Sequence, residues 1–144
     1  MEFEIDTESP DHLLVLLEAV QARTAAELDP ALPPELAHLG LRRIRVLQLI
    51  PVAGARQQDL ADRAGISKQA MAEAIEALEA DGLIKRAPDP ADGRAWLVRR
   101  SGRGDELNSR FEAAVAGVER RFAERLGARR YAQLGELLRE VAGD

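Results

Sequence analysis

Residues 57–104 read QQDLADRAGISKQAMAEAIEALEADGLIKRAPDPADGRAWLVRRSGRG, and this stretch decides the fold. Four of its apolar residues recur at spacings of three and four, as one buried face of a helix requires: Met71, Ala74, Ile75 and Leu78. Ser67 precedes this run and follows the helix break at Gly65, so its hydroxyl can cap the helix. The pattern predicts a helix over residues 57–64, a tight turn, and a second helix that starts at Ser67.

The second half of the stretch predicts a β-hairpin. Asp81-Gly82 ends the helix, and the apolar runs Leu83-Ile84 and Trp96-Leu97-Val98 flank RAPDPADGR, residues 86–94. The prolines and Asp92-Gly93 in this segment favour turns. Residues 83–103 carry six basic and two acidic side chains, a local charge of +4 in a chain whose net charge is −5. A basic hairpin is either a nucleic-acid contact or a solvated surface.

Helical patterns precede this stretch. Ser9-Pro10 predicts the cap and first position of a helix that is apolar over most of its girth, and DPALPP at residues 29–34 ends it. In a chain this short, such a helix favours contact with a partner chain. A second helical stretch is expected from Glu35 to about Ile50, with a potential interruption at Gly40.

Two further helices are predicted after the hairpin. Ser101 is placed to cap a long helix that Gly127 ends, and a final helix runs from Ala128 to about Ala142. The apolar positions of the long helix recur at spacings of three and four from Leu107 to Leu126, more than one small globule needs to cover. This length again favours a partner chain.

The composition excludes several classes of protein. The 144 residues contain no cysteine, which excludes disulfides and thiolate metal sites, and the two histidines, His12 and His38, lack the spacing of metal ligands. No nucleophile stands beside a plausible base, no glycine loop suits a phosphate, and no carboxylates are paired as in a catalytic site. We therefore expect no enzyme, no cofactor and no metal. No apolar run spans a membrane and the acidic N-terminus lacks a signal pattern, so a cytoplasmic protein is expected.

Three motifs in order resemble the MarR family of bacterial transcription regulators: LADRAGISKQAMAEAIEALEADGLIKR at 60–86, DPADGR at 89–94, and Ser101-Gly102-Arg103-Gly104. The resemblance implies a mainly α fold with a small β-hairpin wing (α+β), namely a winged helix-turn-helix with N- and C-terminal dimerisation helices. It implies a dimerisation helix in residues 1–34, the DNA-binding region in 35–104, and the C-terminal dimerisation helices in 105–144. The family forms homodimers.

The resemblance also assigns DNA-binding residues. Ser67, Lys68, Gln69, Ala72 and Glu73 match the face of the recognition helix that enters the major groove, where Gln pairs with adenine and Lys with guanine or phosphate. The wing supplies the remaining positions. Arg94 matches the arginine that enters the minor groove and Asp92 the acidic residue that orients it, whereas Lys85, Arg86 and Arg99 are expected on phosphates.

The chain departs from the family pattern at the end of the second wing strand. An apolar residue followed by Thr is common there, and this chain has Arg100-Ser101. The serine can still cap the next helix. The apolar contact is expected to be lost.

Two functions of different class follow. The first is a homodimeric, sequence-specific regulator that binds a pseudo-palindromic operator in double-stranded DNA. We expect it to act as a repressor, and the resemblance allows a small aromatic or amphipathic effector that relieves the repression. The second is a winged-helix protein-interaction module without DNA binding. The charge outside residues 83–103, which amounts to −9, keeps the second open.

Overall fold

The computed structural model describes residues 12–143. The chain forms α1 (Leu13–Leu28), a 3-10 turn (Asp29–Ala31), α2 (Pro34–Ala37), α3 (Gly40–Leu49), α4 (Gln57–Ala64), α5 (Lys68–Ala80), β1 (Ile84–Asp89), β2 (Asp92–Arg100), α6 (Gly102–Leu126) and α7 (Ala128–Ala142). The predicted class, mainly α with one β-hairpin, is confirmed. The predicted helix start at Ser9-Pro10 lies outside the described residues, and His12 is the first residue before α1.

The chain separates into two compact units. One combines the chain up to Ala31 with the chain from Ala114 onward, and the other comprises Leu32–Ala113. The second unit contains α2 to α5, both strands and the first part of α6.

The core of the unit Leu32–Ala113 lies between α3, α4 and α5, which all pack on one another. Each helix places its apolar side chains there with at most 4% exposure: Ile44, Val46, Leu47, Leu60, Ala61, Met71, Ala74, Ile75 and Leu78. The four residues predicted as the buried face of α5 are all in this set. Burial of the leucine, isoleucine, valine and methionine side chains among them contributes about 1.5–3 kcal/mol each, and it fixes which face of α5 remains outside.

The region from Glu35 to Ile50 divides at the expected place. α2 ends at Ala37, α3 begins at Gly40, and Gly40 has a φ of +72°. A left-handed conformation is accessible to glycine at little cost. The two helices can therefore change direction between Ala37 and Leu41.

The hairpin differs from its prediction in the extent of its strands. Residues 86–94 were expected to form the turn, but Arg86 pairs with Val98, Ala87 with Leu97 and Pro88 with Trp96. The turn itself consists of Pro90 and Ala91, and Asp92-Gly93 begins β2. Proline lacks the N–H that a ladder needs, and the register shifts between Pro88 and Asp89. The wing is therefore longer and its tip shorter than the turn formers indicated.

The end of β2 is fastened to the body of the unit by Arg100. Its Nη1 donates to the carbonyl of Ile50 at 2.6 Å and to that of Leu47 at 3.2 Å, at the end of α3, while Nε donates to Asp105 at 2.7 Å. The side chain is 13% exposed. The apolar contact expected at this position is thus replaced by hydrogen bonds to carbonyls that α3 leaves without helical partners.

Ser101 caps α6 as predicted. Its Oγ accepts from the Gly104 N–H at 3.0 Å and donates to the carbonyl of Gly82 at 2.7 Å. Gly104 is buried against the Leu83 backbone, with no room for a Cβ. The start of α6 is therefore held directly against the segment that joins α5 to the wing.

The other unit exposes much of its apolar surface. On α1 and α7, large apolar side chains are between 39% and 80% exposed: Leu13, Leu14, Val15, Leu16, Leu17, Val20, Leu134, Leu137, Leu138 and Val141. Glu27 joins α1 to α6 by accepting from Arg121 Nε and from Arg23 Nε, both at 2.7 Å. The Arg121 bond and then the Arg23 bond lower the pKa of Glu27. None of the helices in residues 12–143 combines the length and the apolar character that a membrane crossing requires.

Candidate nucleic-acid interface

The start of α5 is built by Gly65 and Ser67. Gly65 adopts a φ of +64° and ends α4, which brings the chain round within three residues. Ser67 is extended, and its Oγ accepts from the Ala70 N–H at 3.1 Å. This is the N-cap predicted from the sequence. It fixes the start of α5, whose first residues are exposed to solvent.

The outward side of α5 holds the five positions assigned to the major groove. Ser67, Lys68, Gln69 and Glu73 are exposed, and Ala72 is half-buried. Gln69 and Glu73 lie one helical turn apart, and Gln69 Nε2 donates to Glu73 Oε1 at 3.1 Å, so the amide and the carboxylate are joined by a hydrogen bond. With a donor hydrogen engaged, this pair offers mainly acceptor oxygens to a ligand.

The wing presents Lys85, Arg86 and Arg94 to solvent. Lys85 lies opposite Arg99 in the ladder, so two positive charges adjoin on one face of the hairpin. Arg86 Nε donates to Glu79 of α5 at 3.2 Å, and this exposed pair links the wing to the C-terminal end of α5.

Arg99 is less accessible than its assignment to a phosphate suggests. It is half-buried, its stem lies against Gly54, and its Nε is buried without a hydrogen-bond partner within the described residues. A Cβ at Gly54 would come within 2.7 Å of Arg99 Cγ.

At the wing tip, Asp92 bonds to the backbone of Arg94. Asp92 Oδ1 accepts from the Arg94 N–H at 3.1 Å, and the Arg94 side chain is exposed. The bond fixes the backbone from which the guanidinium projects. The bond involves the Arg94 backbone and not the guanidinium itself.

Asp89 and Arg56 hold the wing tip, and sequence reasoning assigned no role to either. Arg56 Nε and Nη2 donate to Asp89 Oδ2 at 2.9 and 2.7 Å, and Asp89 Oδ1 accepts from the Ala91 N–H at 2.9 Å. The hydrogen bond from the Ala91 N–H and then the one from Arg56 lower the pKa of Asp89. The hydrogen bond with Asp89 in turn raises the pKa of Arg56. Asp before Pro-Ala is a turn signal that could have indicated Asp89. Arg56, 33 residues away, carries no local signal.

Across residues 12–143, the histidine, aspartate and glutamate side chains form no group of three that could hold a metal ion. His38 lies 3.3 Å from Asp81 and forms a single pair. The exposed features of the unit Leu32–Ala113 are those of a binding surface.

Comparison with known proteins agrees with this geometry. The sequence model of the MarR family matches residues 39–95, which run from the start of α3 through the wing tip. Residues 39–95 carry the MarR-family sequence pattern. Among curated relatives, the HTH-type transcriptional repressor Rv2887 of Mycobacterium tuberculosis is 29% identical over 127 residues, covering 85% of this chain and 90% of the relative.

Two solved structures are similar to this chain over nearly its whole length. The PcaV transcriptional regulator from Streptomyces coelicolor, in complex with its natural ligand, has a TM-score of 0.73 and 25% identity, and the match covers 99% of this chain and 97% of PcaV. CouR from Rhodococcus jostii RHA1, bound to p-coumaroyl-CoA, has a TM-score of 0.71 and 26% identity, with 92% of each chain covered. The fold inferred from residues 57–104 therefore extends over the flanking helices.

Proposed function

We propose that this chain is a cytoplasmic, homodimeric transcriptional regulator of the MarR family that binds double-stranded DNA at a pseudo-palindromic operator and represses transcription by occupying it. One observation carries the proposal: within the unit Leu32–Ala113, α5, whose outward side is exposed and polar, packs on an exposed basic hairpin, and Arg86 of the hairpin bonds to Glu79 near the end of α5. A helix for the major groove beside a basic wing is the arrangement of a winged helix-turn-helix. The protein acts by binding, without catalysis.

Each assigned residue has a proposed role within residues 35–104. The start of α5 reads base edges through Ser67, Lys68, Gln69, Ala72 and Glu73. Arg94 enters the minor groove, on a backbone that Asp92 fixes. Lys85, Arg86 and Arg99 bind phosphates, which position the protein without reading sequence.

The dimer is formed by residues 1–34 and 105–144 of two chains. The exposed apolar side chains of α1 and α7 support this, because contiguous apolar surface of this kind marks an interface. Leu16, Val20, Phe122, Leu126 and Leu134 line an apolar cavity of about 280 Å³ in the same unit. In the proposed dimer, apolar side chains of the second chain fill this cavity. Isologous pairing then places two α5 helices with two-fold symmetry, which requires an operator with matching symmetry.

A small aromatic or amphipathic effector lowers operator affinity in this proposal. The support comes from the relatives, since CouR is bound to p-coumaroyl-CoA and PcaV to its natural ligand. An effector relieves repression only as far as it binds the DNA-free conformation more tightly than the bound one. Its chemical identity follows from the genes that the operator controls.

A second candidate function is a protein-interaction module that does not bind DNA. The observation in its favour is the charge of α5, which carries Lys68 against Glu73, Glu76 and Glu79. A stable protein partner, with no gel shift on any duplex at low salt, would establish this alternative and exclude the first.

Selection of operators from genomic fragments tests the proposed function. Fragments bound by the purified protein should share an inverted repeat, and binding should weaken steeply with salt, by about 0.9 in the log-log slope for each phosphate neutralised. Absence of a shared site, or an affinity independent of salt, would exclude sequence-specific DNA binding.

A further inference from the structure

A polar groove separates the start of α3 from α5. It has a volume of about 520 Å³ and is lined by His38, Arg42 and Arg43 on one side and by Ala70 and Glu73 on the other. Small-molecule sites are mostly apolar and enclosed. This groove has charged walls whose side chains are mainly exposed, so it suits an extended polar ligand.

The groove is continuous with the reading face of α5. Glu73 belongs to both, and Ala70, which also lines the groove, donates its N–H to the N-cap Ser67 of the same helix. A DNA strand whose bases meet Gln69 and Glu73 must therefore pass along or across this groove. The side chains on its far wall, on α3, then face the sugar-phosphate backbone.

The arginines of the far wall are free to bind this sugar-phosphate backbone. Arg42 and Arg43 are both exposed, and neither takes part in any of the ion pairs formed within residues 12–143. Arginine binds phosphate oxygens through two parallel N–H groups. The two side chains therefore bring uncompensated donors to the edge of the reading face.

The charge of α5 makes such a contact necessary. One lysine and three glutamates give the helix a net charge of −2, and Glu73 lies on the face that meets the DNA. Like charges repel the phosphates nearest to that face. Cations across the groove offset the repulsion where it is strongest.

We propose that Arg42 and Arg43 bind phosphates of the operator strand that flanks the major groove entered by α5, as a third contact besides α5 and the wing. The inference rests on the proposed function and adds two residues to the site. These contacts supply affinity without base discrimination, because phosphates are the same at every position.

Salt-dependent fluorescence anisotropy tests this contact with full-length Arg42→Ala, Arg43→Ala and double variants, on a selected operator and on an unrelated duplex of equal length. Each lost phosphate contact should reduce the log-log salt slope by about 0.9, and affinity should fall by the same factor on both duplexes. Arg43→Lys should retain the slope, since a cation remains.

Arg45→Ala is the matched control, because Arg45 is exposed on the same helix but does not line the groove. A double variant with the slope of the wild type, or of Arg45→Ala, would overturn the inference. A loss confined to the operator would also overturn it, since it would indicate base reading. If the wild type binds no duplex at all, the proposed function fails instead, so the two failures are distinguishable.

Discussion

Arg56 donates two hydrogen bonds, of 2.9 and 2.7 Å, to the same carboxylate oxygen of Asp89, although the two residues are 33 positions apart. Asp89 closes the wing turn through Ala91, and Arg56 directly precedes α4. The pair therefore ties the wing tip to the helix-turn-helix body. In the proposed complex with DNA, this pair sets how far Arg94 can extend into the minor groove.

Breaking this pair should reduce the contribution of Arg94 to DNA binding. We expect Asp89→Asn to weaken operator binding, and to weaken it much less in a protein that already carries Arg94→Ala, because both changes remove the same contact. Anisotropy titrations of the wild type, the single variants and the double variant measure this coupling. Additive losses would show that Asp89 acts on binding independently of Arg94.

The same carboxylate should make stability depend on pH. Its pKa is lowered from an ordinary 3.8 by the Ala91 N–H and by Arg56, so the stabilisation is complete above the unfolded pKa and is lost as the pH falls through the folded one. The difference between the wild type and Asp89→Asn in urea unfolding should be constant from about pH 7 to about pH 5 and vanish towards pH 2. A difference that is the same at every pH would contradict this origin.

Arg100 should be essential for stability without contacting DNA. Arg100→Met removes the donors to the Leu47 and Ile50 carbonyls, and we expect a loss of about 1–3 kcal/mol in the free energy of unfolding. Arg63→Met, at an exposed position of α4, should change it by less than about 0.5 kcal/mol. Chemical unfolding followed by circular dichroism measures both. Equal effects would show that the carbonyl bonds do not matter.

Two glycines at the start of α6 provide a paired test of the packing against Leu83. A Cβ at Gly104 would collide with the Leu83 carbonyl oxygen, whereas one at Gly102 meets nothing within 4 Å. Gly104→Ala should destabilise the protein by about 1–3 kcal/mol, as overpacking does, while Gly102→Ala should be neutral or mildly stabilising. Thermal melts compare them directly. Similar melting temperatures for both variants would contradict the close approach.

Glu73 should determine which base α5 selects. Held by Gln69, it offers an acceptor that suits the N4 amino group of cytosine. Glu73→Gln should relax the preference at one base pair in each half-site by about 1–3 kcal/mol, while overall affinity rises because a negative charge leaves the interface. Operator selection with the variant measures the preference. An unchanged selected site would show that Glu73 is merely solvated.

Local signals account for what the sequence predicted. The cap at Ser67, the glycine break at Gly65 and the periodic apolar residues of α5 lie within a few positions of one another, and the helix they predict is the one observed. The bounds of α4 and α7 follow from the same kind of signal. The order of these elements, rather than any one of them, pointed to the family.

What the sequence did not predict depends on partners far along the chain. Arg100 is some 50 residues from the carbonyls that it binds, and Arg56 is 33 residues from Asp89. The wing turn was misplaced because residues 86–94 contain several turn formers, and cross-strand pairing decides which of them turns. The groove beside Arg42 and Arg43 exists only once α3 packs on α5.

Hydroxyl-radical footprinting on a selected operator tests most directly whether two symmetry-related copies of α5 and the wing bind one operator. We expect two equivalent protected regions, related by the dyad of the site and separated by about 10 base pairs or a multiple of that spacing. A single asymmetric region of protection, or none on a duplex that the protein demonstrably retains, would contradict this arrangement.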